Sequence, residues 1–334
     1  MSTVKQSVRN VQIVGTLQEM NFDIQTKEVK QNGKTVKCRV IMKKDFRNPS
    51  MTIDVNGDVV GVNFIPVYEI NRNDGKHNPK FDGMETIINT YVPEISATPE
   101  NPATRVKIDG VFDLNEYVDK EKDYTYCSFP QVVCFKPCTH TNVPAEDMAV
   151  IDLTGVVGSF SQEIVNEEET GRLNLTFYSF NKNGEVLPFN LIVPSEFAND
   201  FEKNYDIGDS CNLGFKIVST KSSKSKASNV VFGAGSLIVN GFSKTEYVLY
   251  TGYQPYEEES TYYVEASDVK NALNIRKLMI KSAINKKKED VSTQTSTKTT
   301  KGLGSIKSVE PTPFDDDSED LPFDVPDDDV ADLF

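Results

Sequence analysis

Cys127, Cys134, Cys138 and His140 place four soft or borderline ligands within fourteen residues, the donor set of a tetrahedral zinc site. Their spacing, Cys-x6-Cys-x3-Cys-x-His, has no close Cys-x2-Cys knuckle, and Cys134 lies in an apolar run where a thiol is an ordinary core residue. They are the chain's best zinc candidates, yet no metal is expected. Catalytic signatures are weaker still. The chain has two histidines, His77 and His140, and neither a Gly-rich phosphate loop nor a Gly-x-Ser-x-Gly nucleophile turn. Asp315-Asp316-Asp317 and Asp327-Asp328-Asp329 sit in a polyanionic tail, where solvated carboxylates are the ordinary reading. Neither an active site nor a cofactor is expected.

Aromatic rings interleaved with cations offer a different chemistry, stacking on bases with phosphate contacts alongside. Strand alternation sends Leu173, Leu175 and Phe177 to one face and Asn174, Thr176, Tyr178 and Phe180 to the other. Tyr178 and Phe180 are the candidate stacking residues. Lys221, Lys224 and Lys226 on the Ser-rich segment 220–226, with Lys182 and Lys216, are the candidate phosphate contacts. The competing reading packs both rings under the preceding domain and leaves the lysines as solvated loop charges. Nearer the start, alternation points Val36, Cys38, Val40 and Met42 inward and Lys37 and Arg39 outward, with Lys43, Lys44 and Arg47 extending the basic strip. Lys27, Lys30 and Lys34 fall on the paired strand and its turn, and Phe22, Phe46 and Phe64 are further candidate rings. A solvated edge is the alternative there.

The elements that must hold these residues read as β structure. Val11 to Leu17 and Phe22 to Val29 roughly alternate apolar and polar residues, and the Asn32-Gly33 turn pairs the latter with Thr35 to Met42. A second turn falls at Asn56-Gly57-Asp58. Residues 66–105 form a polar insertion in which Met84, Ile87, Ile88 and Tyr91 have helical spacing, and strands near 105–117 and 124–135 complete the unit. A second series opens at Ala149 with an apolar run ending in Gly155, echoing Val11 to Gly15 and suggesting duplication. It continues through 173–180, a turn at Lys182-Asn183-Gly184, 189–193, a helix at 195–205, 211–218 and 230–239. Five strands with a helix between the third and fourth is the layout of the oligonucleotide-binding barrel, the OB fold. The fold class expected is therefore mainly all-β. Two five-stranded Greek-key barrels occupy 1–145 and 146–288, the second carrying a basic helix over 266–288. A flexible linker at 289–309 and a disordered acidic tail at 310–334 follow.

The formal charge is −14, but it is unevenly spread. Residues 1–50 carry +6 and 270–307 carry +8, whereas 308–334 carry −11, so a local phosphate-binding surface is compatible with an acidic total. Five cysteines at irregular spacing make a poor disulfide framework and point to reduced thiols. The start lacks a signal-peptide core and no apolar run reaches membrane-span length, which predicts a soluble, cytoplasmic protein.

The C-terminus reads Pro313-Phe314-Asp315-Asp316-Asp317, Asp320-Leu321-Pro322-Phe323-Asp324 and Asp327-Asp328-Asp329-Val330-Ala331-Asp332-Leu333-Phe334. As a peptide ligand, its terminal ring suits an apolar pocket while its carboxylates meet Arg or Lys. In this order of barrel, linker and acidic tip ending in Phe, the chain resembles bacterial and phage single-stranded DNA-binding proteins. The resemblance spans the whole plan, although only the tail is motif-like. Bacterial members end in Asp-Ile-Pro-Phe, whereas here Leu-Pro-Phe is internal and the end is Ala-Asp-Leu-Phe, nearer the phage style. Two barrels in one chain also depart from the single bacterial barrel. The resemblance implies a non-enzymatic protein of replication, recombination and repair, in the host cytoplasm if viral. It implies contacts with polymerase, primase, helicase or recombination proteins, with Asp327, Asp328, Asp329, Asp332, Leu333 and Phe334 meeting the partner. Alternatives are a scaffold whose barrels bind proteins, favoured by the acidic totals of residues 51–269, and an RNA-binding regulator.

Overall fold

The structure is a computed structural model that describes residues 4–31, 34–71, 75–225 and 239–296. The chain forms β1 (Arg9–Met20), β2 (Phe22–Gln31), β3 (Lys34–Lys43), β4 (Met51–Val55), β5 (Asp58–Phe64), β6 (Val67–Tyr68) and α1 (Pro79–Thr90). There follow β7 (Arg105–Asp119), β8 (Thr125–Cys134), β9 (Met148–Val165), β10 (Glu168–Phe180) and β11 (Val186–Val193). The last elements are α2 (Ser195–Asn204), β12 (Ser210–Ser225), β13 (Val239–Gly252) and α3 (Ala266–Ser296).

Strand order closes two barrels. In the second, β9 pairs with β10, β10 with β11, β11 in parallel with β13, β13 with β12, and β12 again with β9. The first repeats this circuit as β1, β4, β5, β8 and β7, with β5 and β8 the parallel pair. Each barrel has its helix between the third and fourth strands, α1 and α2 respectively. This is the OB arrangement, present twice.

Two expected strand assignments change. The second barrel's fifth strand, expected at 230–239, is β13 at Val239–Gly252, and residues 230–238 lie outside the described residues. The segments 22–29 and 35–42 do form a hairpin, but β2 and β3 join β6 in a separate three-stranded sheet outside the barrel. The first barrel's second and third strands are β4 and β5. Met51, Ile53 and Val55 alternate inward opposite Val60, Val62 and Phe64, and Asn56 and Gly57 take the positive φ angles, 55° and 91°, that a tight hairpin needs. β2 has three apolar side chains in ten residues against three in five for β4, and leaves Gln25 to Glu28 exposed, so it gains less from a place in a closed barrel.

The barrels are joined strand to strand. β1 pairs antiparallel with β9 from Arg9↔Leu153 to Val14↔Met148, and each strand then passes to its own barrel's second strand. Gly15 and Gly155 lie at these two hand-over points. A Cβ at Gly15 would run into the Asp54 carbonyl oxygen, and one at Gly155 into the Tyr178 carbonyl oxygen. The glycine echo in the sequence thus marks equivalent positions where backbones approach too closely for a side chain. The barrels also share one apolar core, in which Phe112 of β7 stacks on Phe189 of β11 at 4.5 Å and meets Tyr247 edge-on at 4.7 Å.

α3 is longer than expected, running eight residues past Lys288 into the segment read as linker. Val269 and Ala272 pack with Val156, Phe180 and Val186 of the second barrel. One turn on, Arg276 pairs with Glu116 of β7 and donates to the Val186 carbonyl at 3.1 Å. No helix among the described residues is long and apolar enough to cross a membrane.

Replacing Gly155 with Val should lower unfolding stability by about 1–3 kcal/mol or more, because the strand cannot move without parting β9 from β10. Urea unfolding measures this, and a wild-type midpoint would contradict it.

Candidate nucleic-acid interface

In an OB barrel the ligand face is the outer side of the second and third strands, flanked by the loop joining strands four and five. The two barrels use these parts differently. In the first, Pro49 lies over Gly61 of β5, so close that a Cβ there would be 2.8 Å from the proline ring. Asn21 holds this cover in place, donating to the Asp45 and Pro49 carbonyls at 2.7 and 3.1 Å. Part of that barrel's ligand face is therefore filled by the chain itself.

Its strands four and five compensate by projecting as an arm. β7 and β8 stay paired from Val111↔Val133 to Asp119↔Thr125. Period-two alternation gives the arm two faces. On one, Phe112, Leu114 and Glu116 turn toward the second barrel and α3. Tyr126 lies on the same side, its hydroxyl pKa pushed up to about 12 by burial and by Glu116. On the other face Tyr117 and Phe129 are 44 % and 51 % exposed, with ring centroids 6.3 Å apart. Exposed rings on a braced strand pair are ready-made stacking platforms. Phe135, just past the strand end, is also exposed. These aromatics were missed from the sequence, although extending the alternation through β8 would have put Phe129 and Gln131 on one face.

In the second barrel the ligand face is open. A groove of about 420 Å³ runs over Asn174 and Thr176 of β10, Asn190 and Ile192 of β11 and Lys244 of β13, and is closed on one side by Pro130 of the arm. Its amides both donate and accept, which suits base edges of any type. Glu246 borders it. Burial works to raise that carboxyl's pKa, but hydrogen bonds from Lys244 and Arg172 outweigh burial and hold it below its usual value. The group stays ionised and neutralises cations that would otherwise be free.

Of the expected stacking pair, Phe180 is fully buried. The N-terminal segment crosses it, with Ser7 N–H donating to the Phe180 carbonyl at 3.0 Å and the Phe180 N–H to Ser7 Oγ at 2.9 Å, and α3 covers the ring. Phe180 is thus a core residue, buried as in the competing reading but beneath the N-terminal segment and α3 rather than the preceding barrel. Tyr178 is half-buried against the same cluster, and burial raises its hydroxyl pKa. Phe64 is buried with Phe22 edge-on at 5.6 Å, whereas Phe46 is exposed.

The basic residues divide sharply. Every arginine among the described residues holds a carboxylate: Arg9 with Asp113, Arg39 with Glu69 and Glu85, Arg47 with Asp45, Arg105 with Asp147, Arg172 with Glu163 and Glu246, and Arg276 with Glu116. Arg39 and Arg47 are therefore occupied rather than free for phosphate. Lys43 is partly buried, which lowers its pKa, and donates to the Asn48 carbonyl. Lys27, Lys30, Lys34, Lys37 and Lys44 are exposed. The β2–β3 register puts Lys27 and Lys34 on one face and Lys30, Lys37 and Arg39 on the other, so the expected single strip is split. Lys182 is exposed in the β10–β11 turn, and exposed Lys216 lies 5.6 Å from the Tyr250 ring. Lys221 and Lys224, expected on a loop, belong to β12 and pair with Ser243 and Asn240 of β13, so the second barrel also extends its strands four and five. Lys226 and the tail residues Asp327, Asp328, Asp329, Asp332, Leu333 and Phe334 lie outside the described residues.

The zinc candidates do not converge. Cys127 and Cys134 stand on one strand, seven residues and thus about 23 Å apart. Burial pushes the Cys134 and Cys138 thiols up to about 12, His140 Nδ1 is 2.9 Å from the Tyr91 hydroxyl, and among the described residues no three potential ligands lie together.

Strand order and braced arm together define a protein of two fused oligonucleotide-binding barrels. The chain belongs to the YorF family, whose pattern matches residues 8–290. No curated protein matches the sequence. Among solved structures, the wild-type single-stranded DNA binding protein from Thermus aquaticus is similar at 11 % identity over 77 % of this chain and 97 % of that one, with a TM-score of 0.41. A deletion mutant of that protein gives 11 % identity, 76 % and 98 % coverage and a TM-score of 0.38. The fold assignment rests on the strand pairing above.

Replacing Phe129 or Tyr117 with Ala should weaken single-strand binding by about 1–3 kcal/mol and leave the unfolding midpoint nearly unchanged. Phe180→Ala should instead cost about 3–5 kcal/mol of stability. Paired titration and urea unfolding distinguish the two classes, and unaltered affinity in a folded Phe129/Tyr117 double variant would remove the arm from the interface.

Proposed function

We propose that this protein binds single-stranded DNA without catalysis, through the exposed face of the first barrel's arm and the amide-lined groove of the second barrel. The observation that supports this most directly is the arm itself. One face is locked to the second barrel and α3, while the other keeps Tyr117 and Phe129 in solvent. Ring faces held out on a rigid support are available to stack on bases at little ordering cost. Contacts to amides and ring faces, rather than a fixed donor pattern, favour little sequence preference. Because the described arginines are engaged by carboxylates, lysines supply the phosphate contacts, among them Lys27, Lys30, Lys34 and Lys37 of the β2–β3 sheet and Lys182, Lys216, Lys221 and Lys224 of the second barrel.

The acidic tail has a separate role in this reading: it recruits replication or recombination proteins, with Leu333 and Phe334 filling an apolar pocket and Asp327, Asp328, Asp329 and Asp332 meeting cations around it. Its eleven carboxylates also make it a competitor for the protein's own lysines.

Titration with labelled oligo-dT should show binding whose log affinity falls linearly with log salt, and RNA of the same length should bind more weakly. Absence of binding at low salt would defeat the proposal. Removing residues 308–334 should tighten DNA binding at low salt, a gain that shrinks as salt rises, and should abolish capture of partner proteins. Phe334→Ala should lose partners with little change in DNA affinity. Weaker DNA binding by the truncated chain, or full partner capture by the Phe334 variant, would refute this division of labour.

A further inference from the structure

α3 carries six lysines between 270 and 288, all exposed and none in an ion pair among the described residues. This contrasts with the arginines among the described residues, each held by a carboxylate. At 3.6 residues per turn, Lys270, Lys277, Lys281 and Lys288 fall within roughly 40° of one another and span about 27 Å of the helix. The stripe lies off the packed face defined by Val269, Ala272 and Arg276.

Two anchors keep this row in place. Val269 and Ala272 are buried in the second barrel, and Arg276 pairs with Glu116 on the inward face of the arm. Glu116 is the carboxylate of the arm that faces the helix, and Arg276 neutralises it, so it does not draw the lysines inward. At the far end Lys288 lies 5.6 Å from the ring of Tyr124, in the turn that closes the arm. That turn carries exposed Lys120 and Lys122 alongside Asp119, Glu121 and Asp123, with Lys122 paired to Asp119 at 3.6 Å, so Lys120 is its unpaired cation among the described residues. The lysine row therefore runs on to the tip of the same arm that displays Tyr117 and Phe129 on its other face.

We infer that α3 is a second phosphate-binding surface, onto which a single strand leaving the aromatic face of the arm continues around its tip, from Lys288 toward Lys270. The inference rests on the reading of the arm as a single-strand site and adds a path that the barrels do not supply. Several observations favour nucleic acid as the occupant. The lysines form a linear row suited to a linear polyanion, a positioned helix costs little to order, and the row is continuous with a stacking surface. An acidic protein partner and an anionic membrane surface are the other occupants such a row can take.

The test compares two oligo-dT lengths against the full chain and against a variant with Lys270→Gln, Lys277→Gln, Lys281→Gln and Lys288→Gln. A strand of about 8 nucleotides fits within one barrel's site, and one of about 40 exceeds what two barrels cover. For the wild-type chain the longer strand should show the steeper salt dependence. In the variant that extra slope should fall by up to roughly 0.7 for each phosphate no longer neutralised by a lysine, while the short strand binds as before. Equal slopes for variant and wild type on the long strand would overturn the inference and leave the arm's role standing, and binding of anionic vesicles or an acidic polypeptide in its place would reassign the row. Loss of affinity for both lengths alike would also overturn it, since the lysines would then act through the overall field. Failure of the wild-type chain to bind either length would overturn the single-strand reading together with this one.

Discussion

Six residues of backbone pairing between β1 and β9 hold the two barrels in fixed relation. One edge of each strand's first half pairs with its counterpart, while the rest of its pairing closes its own barrel. Because the hand-over brings three backbones together, glycine is required at both junctions. The shared core follows from the same pairing. Once the first strands lie side by side, β7 extends past the start of β1, and Phe112 reaches Phe189 and Tyr247.

The braced arm is a second consequence. A projecting two-stranded ribbon alone in water is marginally stable and offers no fixed surface. Here the ribbon is held on one side by Phe112, Leu114 and the Glu116–Arg276 pair, which leaves its outer side both rigid and open. Rigidity matters for binding because rings already in position lose little conformational freedom when a base stacks on them. α3 therefore has structural weight beyond the barrel it packs on, since it supports the arm of the other barrel.

Charge is arranged with similar economy. Four of the described arginines fasten elements to one another: Arg9 joins β1 to β7, Arg39 the small sheet to α1, Arg172 joins β10 to β9 and β13, and Arg276 joins α3 to the arm. The planar guanidinium fork suits such fixed pairs, whereas the flexible, strongly hydrated lysine suits a mobile polyanion. An acidic chain thus keeps a set of unpaired cations without carrying a positive total charge.

Local pattern determined much of this protein. Alternation and turn chemistry located four of the second barrel's five strands, the fifth lying further along the chain than its apolar run at 230–239 suggested, and the glycine echo between Val11–Gly15 and Ala149–Gly155 announced a repeated unit. The helical spacing of Met84, Ile87 and Tyr91 located α1 inside the insertion. These signals are legible because period and turn geometry depend on neighbours within a few residues. What the tertiary structure decided is which surfaces remain open. Phe180 has the alternation of an outward residue, yet Ser7 and α3, 173 positions before it and about 90 after, bury it. Arg39 reads as a free cation until Glu69 and Glu85 are brought to it. Tyr117 and Phe129 form an exposed ring pair on a braced face only because the opposite face of their strands is taken by another barrel. Each outcome depends on contacts far apart in sequence, and exposure, unlike periodicity, is a property of the whole packed chain.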